Sequence, residues 1–92
     1  MIGFVECECI IYDASSLKEK RAVLKRVITR IRAKFNVSVS EIDYQDTWQR
    51  TSFGIAAVSS SRVQTEKELQ RVLSFIDSFP EIERTITRTE WF

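Results

Sequence analysis

The chain has 92 residues and a formal net charge of +1, which excludes a protein that is basic throughout and suits one small domain over residues 1–92. It has two cysteines, no histidine and no apolar run near the roughly 20 residues that cross a bilayer. The N-terminal residues lack a basic region and a long apolar segment. We therefore expect a cytoplasmic domain without a signal peptide or a membrane partner.

A predicted first strand over residues 2–12 alternates between two faces. Its apolar face consists of Val5, Cys7, Cys9 and Ile11. Its mixed face consists of Phe4, Glu6, Glu8, Ile10 and Tyr12. Because the two cysteines point to the same side of a strand, a disulfide between them would be strained, and without histidine they are too few to bind zinc. We interpret both as small buried residues in a reducing compartment.

Residues 16–34 are predicted to form a helix with the sequence SLKEKRAVLKRVITRIRAK. Ser16 and Glu19 have capping-box spacing, in which the hydroxyl accepts the Glu19 amide and the carboxylate reaches back. A helical wheel gathers the apolar residues within about a third of the circle, as a stripe that faces a core requires. This stripe consists of Leu17, Leu24, Val27, Ile28, Ile31 and Phe35.

Charge is concentrated on this predicted helix. It carries eight of the fourteen Lys and Arg residues against one acid, Glu19, which gives the helix +7 and the rest of the chain −6. A solvated face would ordinarily mix both signs, whereas neighbours such as Arg26 and Arg30 repel each other. The asymmetry favours an anionic partner over a face that only maintains solubility.

The wheel divides these cations into groups. One flank, between about 40° and 100°, carries Lys18, Arg21, Lys25 and Arg32. Arg26 and Arg30 fall on the outer surface. Because Arg21 lies beside the apolar stripe, we expect it to pair with an acid of a neighbouring strand instead of a ligand.

Two more strands are predicted after this helix. Apolar positions in residues 37–44 change from odd to even, which indicates a bulge near Ser40. A turn at residues 45–49 leads into a strand over about residues 50–59. Gly54 in that strand indicates close approach of a backbone or a helix.

A second helix and a last strand complete the chain. Ser61 and Gln64 repeat the capping-box spacing, and the helix is predicted to end near residue 78, just before Pro80. The last strand covers about residues 82–91. The apolar stripe of the helix consists of Thr65, Leu69, Val72, Leu73, Ile76 and Phe79.

The predicted order is therefore β-α-β-β-α-β. Right-handed crossovers turn this order into an α+β, ferredoxin-like sandwich, with two helices on one face of a four-stranded antiparallel sheet of order 4-1-3-2. That fold supports RNA binders, sensors, metal carriers and enzymes alike, so it does not supply a function.

Three segments carry a resemblance to a known family. They are residues 16–21 (SLKEKR), residues 34–43 (KFNVSVSEID) and residues 45–50 (QDTWQR), the last leading into Gly54. Together they resemble the YlxP-like family of small bacterial proteins, over essentially the whole chain. The resemblance implies a ferredoxin-like fold and genes that commonly lie beside those for ribosome-binding factor A, initiation factor 2 and the transcription factor NusA. It therefore implies a role in ribosome maturation or translation, and it supplies no catalytic residue.

The first candidate site is a surface that contacts RNA phosphates. Phosphate contacts position a nucleic acid without reading its sequence and weaken as salt rises, so we expect no readout of DNA sequence. Trp48 and Arg50 at the hairpin tip are secondary candidates, because a tryptophan near a turn can stack on a base. The alternative is that Trp48 folds back on the sheet and Asp46 pairs with Arg50. The candidates on the helix are Lys18, Lys25, Arg26, Arg30 and Arg32.

The second candidate site is the sheet face away from the helices. Glu6 and Glu8 would oppose phosphate at its centre, so we do not expect RNA there; Arg84 and Arg88 are predicted to neutralise these acids across strands. The apolar residues of this face favour another protein surface, including a second copy of the chain. The predicted interface residues are Phe4, Ile10, Tyr12 and Trp91.

No enzyme, cofactor or metal site is expected. The chain lacks histidine, the usual acid–base residue near neutral pH, and its two glycines form no phosphate-binding loop. Glu41, Asp43 and Asp46 have oxygen ligands suited to magnesium, but we interpret them as solvated carboxylates or as a partner for Arg21. The sequence thus predicts a non-enzymatic cytoplasmic protein that binds RNA or a ribosomal subunit. The alternative is a regulatory module that self-associates as a homodimer through its open sheet face.

Overall fold

The computed structural model covers all residues from Met1 to Phe92 and has six regular elements. They are β1 (Ile2–Ile11), α1 (Leu17–Lys34), β2 (Ser38–Asp43), β3 (Arg50–Val58), α2 (Arg62–Asp77) and β4 (Ile82–Trp91). The strands form one antiparallel sheet of order β2-β3-β1-β4, which is the predicted order read from the opposite edge. The predicted α+β sandwich is therefore confirmed. Neither helix is long and apolar enough to cross a membrane.

The core lies between the sheet and the two helices. Alternation along β1 sends Val5, Cys7 and Cys9 into this layer, and the predicted stripes of both helices face it. Cys7 and Cys9 are free thiols with no exposed surface, as predicted. Their mutual hydrogen bond and their burial raise the pKa of the Cys9 thiol, so the pair is a packing element of the core.

Both helices begin at the predicted serine caps. Ser16 Oγ accepts from Glu19 N at 3.1 Å, and Ser61 Oγ accepts from Gln64 N at 3.4 Å. The reciprocal half of the first capping box differs from the prediction, because the Glu19 carboxylate accepts from the Ser15 amide at 2.9 Å. Hydrogen bonds from the Ser15 amide and hydroxyl hold the pKa of Glu19 below its usual value.

The predicted bulge in β2 is present, slightly later than expected. The register between β2 and β3 shifts between Glu41 and Asp43, so Ile42 is the extra residue. Its Cγ2 methyl lies 2.9 Å from the position that a Cβ atom on Gly54 would occupy, and Phe4 Cε1 lies 3.2 Å from it. The close approach at Gly54 thus comes from two side chains of the open sheet face and not from a backbone or a helix.

A second register shift decides which residues of β4 face the helices. It lies between Glu8 and Cys9, and after it Arg84 is opposite Cys9, on the helix side of the sheet. Trp91 pairs with Gly3 on the same side, and its ring lies 2.9 Å from the position of a Cβ on Gly3. Trp91 is therefore not on the open sheet face, and the prediction that it contributes to an interface there is wrong.

Candidate functional site

The cations of α1 divide into two that are paired with carboxylates and six that are not. Lys20 Nζ lies 3.0 Å from Glu41 Oε2, and Arg26 forms an ion pair with Glu81. No carboxylate lies within 4.0 Å of the other six. These are Lys18, Arg21, Lys25, Arg30, Arg32 and Lys34. The excess of positive charge predicted for this helix therefore remains mostly uncompensated within the fold.

Four of the unpaired cations form what we call the basic flank: Lys18, Arg21, Lys25 and Arg32. All four are exposed, and successive members lie three to seven residues apart on the side of α1 next to β2. Arg32 Nη2 donates to Val39 O at 3.0 Å, which fixes its guanidinium against the edge strand. The flank spans about 21 Å along the helix axis, enough to follow several phosphates of an extended nucleic acid.

The ion pair expected for Arg21 is formed by Lys20 instead. The Lys20 side chain is 0% exposed, and besides Glu41 its Nζ contacts the Tyr44 carbonyl oxygen at 2.5 Å. On the wheel Lys20 stands at about 300°, between Val27 and Leu24, in the middle of the apolar stripe. Its position within the apolar stripe was therefore the one feature of the sequence that could have predicted its burial. Arg21 is exposed and has no carboxylate partner, so the ion pair predicted for it is wrong, and it is a further candidate contact on the flank where the helical wheel placed it.

The carboxylates considered for a magnesium site are not gathered together. Glu41 Oε2 accepts from Thr51 Oγ1 at 2.5 Å as well as from Lys20. The bulge at Ile42 places Asp43 opposite Ser52, on the other face of the sheet from Glu41. No group of three or more His, Cys, Asp or Glu side chains has metal-binding geometry.

A second row of cations on α1 faces α2. Arg26, Arg30 and Lys34 follow each other at intervals of four residues, and Arg26 was expected on the outer surface. It is instead partly buried by its pair with Glu81, since the turn before β4 folds against the helix. Arg30 lies over the Phe79 ring at 5.7 Å and Lys34 over the Phe75 ring at 4.8 Å, each measured to the ring centroid.

The two RNA contacts predicted at the hairpin tip, Trp48 and Arg50, have different surroundings in the structure. Trp48 is 52% exposed, so about half of its surface is available to a partner. Arg50 pairs with Glu8 at 3.4 Å, not with Asp46, and its guanidinium stacks on the Tyr44 ring at 4.1 Å from the centroid. Arg50 is therefore part of the open sheet face, while Trp48 lies in the turn with its side chain partly exposed.

The open sheet face combines apolar side chains with a buried carboxylate. Glu8 is 7% exposed, and Tyr44 Oη donates to its Oε1 at 2.8 Å. The Tyr44 hydrogen bond, followed by the Arg50 charge, lowers the pKa of Glu8. Tyr12 Oη donates to Glu83 Oε2 at 2.6 Å, and this bond raises the pKa of Tyr12. The centre of the face therefore contains a carboxylate that is already hydrogen-bonded by Tyr44 and ion-paired with Arg50.

The apolar part of this face is larger than predicted. Phe4 and Ile10 are half-buried and Tyr12 is exposed, as an interface would allow. Alternation from these residues places further exposed apolar side chains on the same face. They are Ile2, Ile42, Val58 and Ile86.

The cross-strand pairs predicted for β4 are only partly formed. Arg84 lies on the helix side, where Nη2 is 2.8 Å from Asp77 Oδ2 and lowers the pKa of that carboxyl. Arg84 therefore does not neutralise Glu6 or Glu8. Arg88 is opposite Glu6 in the register as expected, but the two side chains form no ion pair within 4.0 Å.

Comparison with known proteins agrees with the resemblance drawn from the sequence. The chain is 89% identical over 92 residues to "Uncharacterized protein YlxP" of Bacillus subtilis (strain 168), with the whole of both chains covered. Residues 2–89 match the family described as "Protein of unknown function (DUF503)". The chain therefore belongs to the DUF503 family, whose description assigns no activity.

Proposed function

We propose that this protein is a non-enzymatic cytoplasmic factor that binds RNA or a ribonucleoprotein through α1, in ribosome maturation or translation. The observation that supports the proposal most directly is the set of six cations on α1 that have no carboxylate partner. Within a chain of net charge +1, such a surface attracts a polyanion to one side of the molecule only.

The basic flank is the primary contact in this proposal. Its members Lys18, Arg21, Lys25 and Arg32 are exposed and project from one rigid helix, so binding requires little reorganisation. Arg26 is a weaker candidate than the sequence indicated, because Glu81 already neutralises it. Trp48 is exposed and stays a secondary candidate, whereas contact through Arg50 would require it to leave Glu8 and Tyr44.

Charge reversal with a matched control tests this proposal. The variant Lys18→Glu/Lys25→Glu changes the net charge from +1 to −3 and reverses two of the four cations of the basic flank. The control Lys67→Glu/Arg88→Glu makes the same change in net charge at exposed cations outside α1. Co-sedimentation with ribosomal subunits should be lost in the first variant and kept in the second. Equal sedimentation of both variants and the wild type would contradict the proposal.

A second candidate function is association through the open sheet face with another copy of the chain. It is supported by the exposed apolar side chains that extend from Ile2 to Ile86 on the side without helices. The sedimentation coefficient of the protein alone, measured over a range of protein concentrations at low and at moderate salt, tests this candidate. Association through an apolar face should depend only weakly on salt, whereas RNA binding should weaken steeply as salt rises.

A further inference from the structure

Three phenylalanines form a continuous ladder between the helices. The Phe35 and Phe75 ring centroids are 5.5 Å apart, and those of Phe75 and Phe79 are 5.3 Å apart, both edge to face. Phe79 is buried, whereas Phe35 and Phe75 are only partly buried. The buried Phe79 therefore packs between the helices and the core, while Phe35 and Phe75 leave part of their aromatic surface exposed to solvent.

The space above the ladder is an open groove, which we call the interhelical groove. A cavity of about 670 Å³ is bordered by Lys34 and Phe35 on one side and by Ser74 and Phe75 on the other. A second cavity of about 390 Å³ continues it towards Arg30. The two share Phe75 and Ser78, so they form one continuous groove on the surface.

Cations without carboxylate partners border this groove. Lys34 Nζ lies 4.8 Å from the Phe75 centroid and 5.7 Å from that of Phe35, and Arg30 lies over Phe79. The carboxylates nearest the groove form ion pairs with other cations, since Glu81 pairs with Arg26 and Glu68 lies 3.7 Å from Arg71. The groove thus combines aromatic surface with positive charge that is left free for an anion.

We propose that the interhelical groove binds unpaired bases of single-stranded RNA, with a base against Phe75 and Phe35 and the flanking phosphates on Arg30 and Lys34. Aromatic surface next to cations is the chemistry that recognises an unstacked base and its backbone. Ser74 at the rim supplies a hydroxyl for a base edge or ribose, whereas the Ser78 hydroxyl already donates to the Phe75 carbonyl oxygen. The proposal rests on RNA binding through α1 and adds that the RNA is single-stranded, because a duplex keeps its bases stacked inside.

Fluorescence anisotropy with three probes separates the parts of this proposal. The probes are an oligouridine of about twelve nucleotides, an RNA duplex of similar length and inorganic polyphosphate, which has charge without bases. The wild type should bind the oligouridine more tightly than the duplex. Phe75→Leu should weaken oligouridine binding about tenfold, the loss expected for one stacked base, and leave polyphosphate binding unchanged. Its thermal unfolding is measured alongside.

A second variant keeps the test decisive if Phe75→Leu unfolds. Ser74→Glu places a carboxylate in the groove at an exposed position, and Val63→Glu adds the same charge on α2 about 16 Å away, beyond the Debye length. Ser74→Glu should bind oligouridine about tenfold more weakly than Val63→Glu. Equal binding by these two, or duplex binding as tight as oligouridine binding, would overturn the groove proposal. If the groove proposal failed in this way but Lys18→Glu/Lys25→Glu abolished binding, RNA binding through the basic flank would stand without the groove. If the wild type bound none of the three probes, both proposals would be overturned.

Discussion

The ammonium of Lys20 lies 3.0 Å from the Glu41 carboxylate, and none of the Lys20 side chain is exposed. This pair joins α1 to β2, the edge strand, across a mainly apolar layer that also contains the buried hydroxyls of Thr51 and Thr65. The lysine also contacts the carbonyl of Tyr44, which has a left-handed backbone with φ of 60°. The buried cation thus helps to hold the end of β2 in the conformation from which Tyr44 reaches Glu8, together with the Asp43 side chain that accepts from Tyr44 N at 2.8 Å.

Loss of one partner of this pair should destabilise the fold strongly. Glu41→Gln leaves the Lys20 ammonium buried without a compensating charge, so we expect the free energy of unfolding to fall by about 3 kcal/mol or more. The double variant Lys20→Met/Glu41→Gln removes both charges and should recover a large part of that loss. Urea denaturation of the three proteins measures the coupling, and a loss below about 1 kcal/mol in Glu41→Gln would contradict a compensated buried pair.

The free energy of unfolding should decrease in acid, because protonation of Glu8 removes its contribution to stability. Its folded-state pKa is lowered by Tyr44 and Arg50, so its contribution is complete above the unfolded value of about 4.3 and is lost as pH falls through the folded value. Tyr44→Phe removes the first of these causes. The difference in melting temperature between Tyr44→Phe and wild type should therefore be largest above pH of about 5 and shrink in more acidic buffer. A difference that stays constant with pH would mean that the Tyr44 hydroxyl does not act through the carboxylate.

Gly54 should not tolerate a methyl group. A Cβ there would lie 2.9 Å from Ile42 Cγ2 and 3.2 Å from Phe4 Cε1, so Gly54→Ala forces these side chains to move, at a cost of about 1–3 kcal/mol in the free energy of unfolding. Adding Ile42→Ala removes the obstructing methyl groups and should restore part of the stability lost. Thermal and urea unfolding measure this. If Ile42→Ala and Gly54→Ala were simply additive, the proposed contact would not be the cause.

RNA affinity should depend steeply on salt through the basic flank. The four phosphate contacts of the basic flank with single-stranded RNA contribute about −3 to the slope of the logarithm of the binding constant against the logarithm of salt concentration. Lys25→Gln/Arg32→Gln should reduce that slope by about 1.4, whereas the control Lys67→Gln/Arg88→Gln should leave it unchanged. Titrations at several salt concentrations test this, and equal slopes for the two variants would assign the contacts to another surface.

Self-association through the open sheet face should be sensitive to charge at its apolar positions. Ile86 is 43% exposed and lies beside Glu8 in the register, so Ile86→Glu would add a carboxylate to an already acidic surface. If the wild type forms a dimer, this variant should be folded but monomeric, with a melting temperature that no longer depends on protein concentration. Sedimentation velocity over a range of concentrations makes the comparison. A wild type that is monomeric at all of them would rule out the second candidate function.

Local periodicity was enough to determine most of the architecture from the sequence. The serine caps, the two apolar stripes and the alternation of β1 each depend on residues only a few positions apart, so they could be read directly and the topology followed. The concentration of positive charge on α1 is likewise a property of the sequence. The resemblance to a family of unknown function was also determined at that level.

Only the tertiary structure decided which charges remain free. Whether a lysine is buried or an arginine is paired depends on acids brought from distant parts of the chain, as Glu41 is for Lys20 and Glu81 for Arg26. The side of the sheet taken by Trp91 could not be read, because both faces of β4 are mainly polar and its register contains a shift. The interhelical groove likewise exists only because the antiparallel packing of α1 and α2 sets Lys34 over Phe75, a contact between residues forty-one positions apart.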